Sequence, residues 1–188
     1  MLHETSQMTY GADNERVSAW TFQLEAFALM GQGNYAAAEP LLRQAYSLFS
    51  VRNNLPAVRF VQIYRGIVLF HLGQYEQARQ LWVPVLAESV QNRLMMCLLT
   101  ALAGISLWLA AVGQVEEAIR VFARVEMEPF FRTSQWYADV VGNYVWRKGA
   151  TLPLAQFQMA QEGGKTAVLW ELGQQVQMLA SLALEVGD

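Results

Sequence analysis

The chain has 188 residues, enough for one medium domain or for an array of small repeats. Hydrophobic residues make up 54% and charged residues 15%, a balance opposite to that of a disordered tail. Thirteen Lys and Arg against sixteen Asp and Glu leave a net charge of −3, so there is no cationic footprint for nucleic acid or an anionic membrane. A single cysteine, Cys97, cannot form an internal disulfide and fits the reducing cytoplasm.

In chain order, residues 1–15 mix polar side chains with Gly11 and hold no apolar core. They lack the basic start and apolar stretch of a signal peptide and are expected to form a flexible arm. The first helix is predicted to start near Arg16 and to carry Trp20, Phe22, Leu24, Phe27 and Leu29.

An internal repeat follows. Met30-Gly-Gln-Gly-Asn-Tyr-Ala-Ala-Ala-Glu39, His71-Leu-Gly-Gln-Tyr-Glu-Gln-Ala-Arg79 and Ala111-Val-Gly-Gln-Val-Glu-Glu-Ala-Ile119 superpose on Gly33, Gly73 and Gly113, a period of 40 taken twice. Two positions after each glycine stands Tyr35, Tyr75 or Val115, and three later Ala38, Ala78 or Ala118. A bulky residue comes next (Leu42, Trp82, Phe122), then a smaller one (Ala45, Val85, Val125). The glycine ends one helix in a left-handed position that a Cβ disfavours, and the following helix begins at once, which makes an antiparallel hairpin. The alanine allows close approach, and the bulky residue fills the gap beside it. Gly66, seven before Gly73, is a second close-approach position. Pro84, inside a second helix, is expected to bend it locally.

From Leu94 to Val112 the chain carries no charge, and its length alone would meet the requirement for a membrane span. The repeat aligns this stretch with helices that do carry charges, so it is assigned to a helix buried on all sides.

Trp136–Arg147 is predicted as the first helix of a degraded fourth unit, with Gly142 and Gly149 seven apart as in the second unit. Pro153 opens another helix. Glu162-Gly-Gly-Lys165 is expected to be a glycine turn before a last helix from about Val168 to Glu185. Gly163-Gly164-Lys165-Thr166 invites a phosphate-loop reading, but Met159 occupies the place of that motif's first glycine and a helix, not a strand, precedes it.

No nucleophile–base pair stands out. The aspartates are Asp13, Asp139 and Asp188, and glutamates such as Glu76, Glu116 and Glu117 fall on solvated faces. His3 lies in the arm, and His71 near a helix end is expected to be structural. No catalytic residue, metal ligand or cofactor is assigned, and enzymatic activity is not expected.

The glycine–aromatic–alanine signature, complete at Gly33-Tyr35-Ala38 and Gly73-Tyr75-Ala78 and without its aromatic at Gly113-Val115-Ala118, resembles the tetratricopeptide repeat (TPR). The closing proline of that repeat is missing from its usual place, although Pro56 and Pro129 lie between units. The resemblance covers roughly residues 17–128 and implies an all-α, TPR-like solenoid of helix hairpins wound as a right-handed superhelix. Residues 16–188 would form one domain, with units at about 17–55, 56–93, 94–131 and 132–160 and a capping helix at 165–186.

Phe157-x-x-Ala160 and Gly164 also look like the end of the repeat regions in large bacterial signalling proteins of the STAND type and related regulators. Leu169 and Glu171 stand one residue closer than that form asks. In TPR proteins first helices line the concave face. That resemblance places Trp20, Gln23, Phe27, Phe60, Ile63, Ile67, His71, Ala103, Leu107, Trp136, Asp139 and Asn143 on a groove for a protein or peptide segment. The competing expectation is that the array's own terminal helix fills this face. The implied function is a non-enzymatic interaction module, the sensor or scaffold part of a larger cytoplasmic bacterial regulator. A small-molecule effector sensor and a free-standing homodimeric adaptor are the alternatives. Nucleic acid and membrane are not expected as partners.

Overall fold

The computed structural model describes the backbone of residues 2–182 and side chains from 17 to 182. Its described residues are helical and contain no strand. Three hairpins come first: α1 (Leu2–Gly31) with α2 (Tyr35–Val51), α3 (Leu55–His71) with α4 (Tyr75–Gln91), and α5 (Met95–Ala111) with α6 (Val115–Val125). The backbone of α1 is helical from Leu2, upstream of the start expected near Arg16, and the side chains of the expected arm lie outside the described residues.

The helices after α1 begin at Tyr35, Leu55, Tyr75, Met95 and Val115, one every 20 residues. All five turns that set this beat have one geometry. The amide of the residue before each new helix reaches back to the fifth carbonyl upstream: Asn34 to Leu29 at 2.8 Å, Asn54 to Phe49 at 3.0 Å, Gln74 to Leu69 at 2.9 Å, Leu94 to Ser89 at 3.0 Å and Gln114 to Leu109 at 2.9 Å. This is the Schellman closure, and it needs a left-handed residue one position earlier. Gly33, Gly73 and Gly113 supply it at φ of 76°, 81° and 88°. Asn53 and Arg93 adopt the same conformation at φ of 53° and 56°. The true beat is therefore one helix, half the 40-residue period that the glycines mark.

Each helix packs on the next from α1 through α6, and α3 also touches α5. Side chains fix the spacing. The Trp82 indole of α4 is fully buried between Gly66 of α3 and Gly104 of α5, and its N–H donates to the Ile63 carbonyl at 2.9 Å. Every residue from Cys97 to Ala110 is buried, as expected for the uncharged stretch, and among the described residues no helix is long and apolar enough to cross a membrane. Pro84 sits inside α4, which continues to Gln91.

Beyond α6 come a short helix α7 (Pro129–Thr133) and a longer helical run: α8 (Gln135–Tyr137), a π-helical turn at Ala138–Gly142, and α9 (Asn143–Gly149). Helices α10 (Leu154–Thr166) and α11 (Leu169–Leu182) follow. Gly163 and Gly164 lie inside α10, so the expected glycine turn is corrected to a close-packing site. A Cβ on Gly164 would run into the Arg120 carbonyl of α6 and stand 2.9 Å from Ala123 Cβ, so only glycine lets α10 lie this close to α6. Gly142 and Gly149 behave alike, pressed against Phe122 and against Ile119 and Phe157. The last helix is described only from Leu169 to Leu182, and the remainder of the expected 165–186 span lies partly in α10 and partly outside the described residues.

Candidate functional site

The face formed by the first helices α1, α3 and α5 is not an open groove. Residues 135–149 run across it from α1 to α6, and each step is anchored by named contacts. Trp136 donates its indole N–H to the Phe27 carbonyl of α1 at 3.0 Å and packs on the Phe27 ring with centroids 5.3 Å apart. The Tyr137 and Tyr64 hydroxyls meet at 3.3 Å, and burial raises the pKa of both phenols. His71, at the end of α3, has its Nε2 2.7 Å from the Val140 carbonyl, inside the π-helical turn. Since a carbonyl only accepts, the imidazole carries its proton on Nε2. Its ring lies flat on Tyr35 with centroids 4.0 Å apart, and burial lowers its pKa. Farther along, Trp146 packs edge-on against Phe122 of α6 and donates to Glu126 at 3.3 Å. Burial raises the Glu126 pKa, and the Trp146 hydrogen bond opposes that rise.

The predicted groove residues fall on both sides of this contact. Ile63, Ile67, Ala103 and Leu107 are fully buried, Gln23 is nearly so, and Phe27, Phe60 and His71 are half-buried. Trp136, Asp139 and Asn143, which the repeat pattern assigned to the groove wall, belong instead to the crossing helix. Asp139 and Asn143 face solvent, with Asp139 Oδ1 accepting from Gln135 at 2.9 Å and from Asn143 at 3.3 Å. Trp20 points away from the face: it is 44% exposed and touches Phe49 edge-on at 4.9 Å. The occupant is the fourth unit's first helix, not the last helix.

The opposite side of the array is covered as well. α10 packs on α6, while α11 packs on α4 and α5. Three arginines hold α11. Arg79 of α4, 1% exposed, donates to the Ala180 carbonyl and to both carboxylate oxygens of Glu76, which keeps the Glu76 pKa below the usual carboxylate value. Arg93 lies over the Trp170 ring at 4.8 Å, and Arg120 donates to Gln175 at 2.8 Å. Gly173 keeps α11 close to Leu98 and Val90.

With both broad sides covered by other helices of the chain, an exposed apolar stripe at helical spacing lies on α1. Val17, Trp20 and Leu24 are 61%, 44% and 64% exposed, and with Thr21 they line a surface depression of about 500 Å³. They occupy positions i, i+3 and i+7 of one helix face, the spacing with which helices meet. A second depression, of about 250 Å³, lies at the start of α6 beside Gly113, Glu116, Glu117 and Leu152. Among the described residues no group of three or more His, Cys, Asp or Glu is placed to hold a metal ion. No protein-family model, curated protein or solved structure matches the chain.

Proposed function

We propose that this chain is a non-enzymatic, TPR-like protein-interaction module that serves as the sensor or scaffold part of a larger bacterial regulator. It receives its partner on the outer face of α1 rather than in the concave groove. The single observation that carries the reading is the stripe Val17, Trp20 and Leu24, more exposed than a capping helix of a stacked array requires. Apolar side chains exposed together on one helix face mark a place where another chain or segment docks. The glycine–aromatic–alanine pattern supports the family likeness, while the 20-residue beat makes a two-helix unit longer than that family's repeat of about 34 residues. A small-molecule sensor has less behind it, because the depressions at α1 and α6 are open surface features rather than closed cavities lined by converging polar groups.

The test substitutes Leu24→Glu and Val17→Glu together and compares the pair with wild type in two assays. Light scattering after size exclusion reads self-association, and quantitative mass spectrometry of proteins captured from the host reads a partner. Both substitutions sit at exposed positions, so the helical circular dichroism and thermal midpoint are expected to stay near wild type. A dimer, or a stoichiometric partner, lost only in the charged variant supports the proposal. A variant that keeps every association of wild type refutes it.

A further inference from the structure

We propose that residues 135–149 form an internal strap that closes the first-helix face as one cooperative unit and opens while the helix ladder beneath stays folded. Four observations point the same way. The strap follows an extended residue that interrupts the helix, Ser134 at φ −82° and ψ 108°, and its far end leads through a turn at Ala150–Leu152 to a second, Pro153 at φ −54° and ψ 138°, which caps α10. Released between those two positions, a helix of this length has no packing to hold it and is marginal in water, so its amides open to exchange. Within the strap the regular ladder is broken by the π-helical turn at Ala138–Gly142. Such turns replace the short i to i−4 bond with a wider one and leave carbonyls to find other partners.

The third observation is the nature of the anchors. Trp136 to the Phe27 carbonyl, His71 to the Val140 carbonyl and Trp146 to Glu126 each join a side chain to a polar group that water can take over on opening. The ladder, by contrast, is locked by Trp82, which is fully buried between two glycines, whereas Trp136 and Trp146 are only partly buried. Finally, Trp136 and Tyr137 of the strap cover an aromatic surface, Phe27 and Tyr64, that has the composition of a helix-docking face. The inference concerns the strap alone and stands or falls separately from the α1 partner site.

Native-state hydrogen exchange on the full chain, followed peptide by peptide at rising sub-denaturing urea, tests it. Amides of Val140–Lys148 are expected to exchange at least about tenfold faster than those of Ile105–Leu109, with a urea dependence smaller than that of α5 because the opening exposes less surface than global unfolding. Two variants, Trp136→Phe and His71→Ala, remove one anchor each, and both are expected to quicken exchange in the strap while leaving α4 and α5 unchanged. Strap and α5 amides that exchange at one rate with one urea dependence in wild type would overturn the proposal. So would variants that speed α5 as much as the strap, because the strap would then be part of the global unit.

Discussion

Replacing Gly104 with alanine tests the packing that fixes the ladder. The added Cβ would stand 2.6 Å from both Cε2 and Nε1 of Trp82, about 1 Å inside ordinary carbon–carbon contact. The indole has no room to retreat, because a Cβ on Gly66 across the ring would also lie 2.6 Å from Cε2 and because the N–H is tied to Ile63. Overpacking of a closed core costs about 3 kcal/mol at its upper range. A Gly-to-Ala change inside a helix returns about 1 kcal/mol. The net expectation is a loss of about 2 kcal/mol for Gly104→Ala, read as a lower urea midpoint by far-ultraviolet circular dichroism. In the background of Trp82→Ala, itself costing about 3–5 kcal/mol, the clash is gone and the same substitution should stabilise by up to about 1 kcal/mol. The change of sign is the diagnostic, a coupling of about 3 kcal/mol between two positions on different helices. If Gly104→Ala is neutral with Trp82 present, or equally costly without it, the glycine sandwich is not what sets the spacing.

Gly73 has no heavy atom within 4 Å of a would-be Cβ, so Gly73→Ala should cost about 1 kcal/mol through its φ of 81° alone. The mirror test is Arg93, where Arg93→Gly is expected to be about 1 kcal/mol more stable than Arg93→Ala, since both lose the Trp170 contact and only glycine relieves the φ of 56°. Arg79→Met removes the buried donor to the Ala180 carbonyl, so α11 should loosen and limited proteolysis should cut near Ala167 before any site in α4 or α5. His71 has a folded-state pKa below its ordinary value, so the unfolded chain binds its proton first as the pH falls. The stability this contributes is complete above about pH 6.5 and is lost as the pH drops through the folded pKa. Tyr35 stacks on the ring, and burial raises its pKa above that of an ordinary phenol, so it stays neutral through that window. Urea midpoints at pH 7.5 and pH 5.5 should therefore draw closer together in His71→Gln than in wild type.

The hairpins were legible because a left-handed turn residue is nearly always glycine, and Gly33, Gly73 and Gly113 announce themselves at equal spacing. The turns between hairpins hold the same backbone with Asn53 and Arg93, residues that carry no such signal, so half of the beat was invisible. The burial of α5 was legible from its lack of charge. The strap was not. Trp136, Asp139 and Asn143 have the spacing of a groove-lining helix, and nothing in a one-dimensional period tells a helix that lines a face from one that crosses it. Gly163 and Gly164 mislead for a related reason. A glycine that ends a helix and one that lets two helices touch are the same residue, and only the partner surface at Arg120 and Ala123 distinguishes them. Trp20 has the spacing of a groove residue, and only its contact with Phe49 of α2 shows that it faces the other way.

The crossing helix also has a bearing on how such a chain can change in length. Its fifteen residues span about 22 Å, and their side chains reach from Phe27 of α1 to Phe122 of α6. Open arrays gain and lose hairpins freely, since each unit meets only its neighbours. Here an inserted hairpin would carry α1 beyond the reach of Trp136, and a deleted one would leave the helix overhanging the edge. The segment works as a ruler that admits three hairpins, so duplication within this fold would have to lengthen the ruler in the same event.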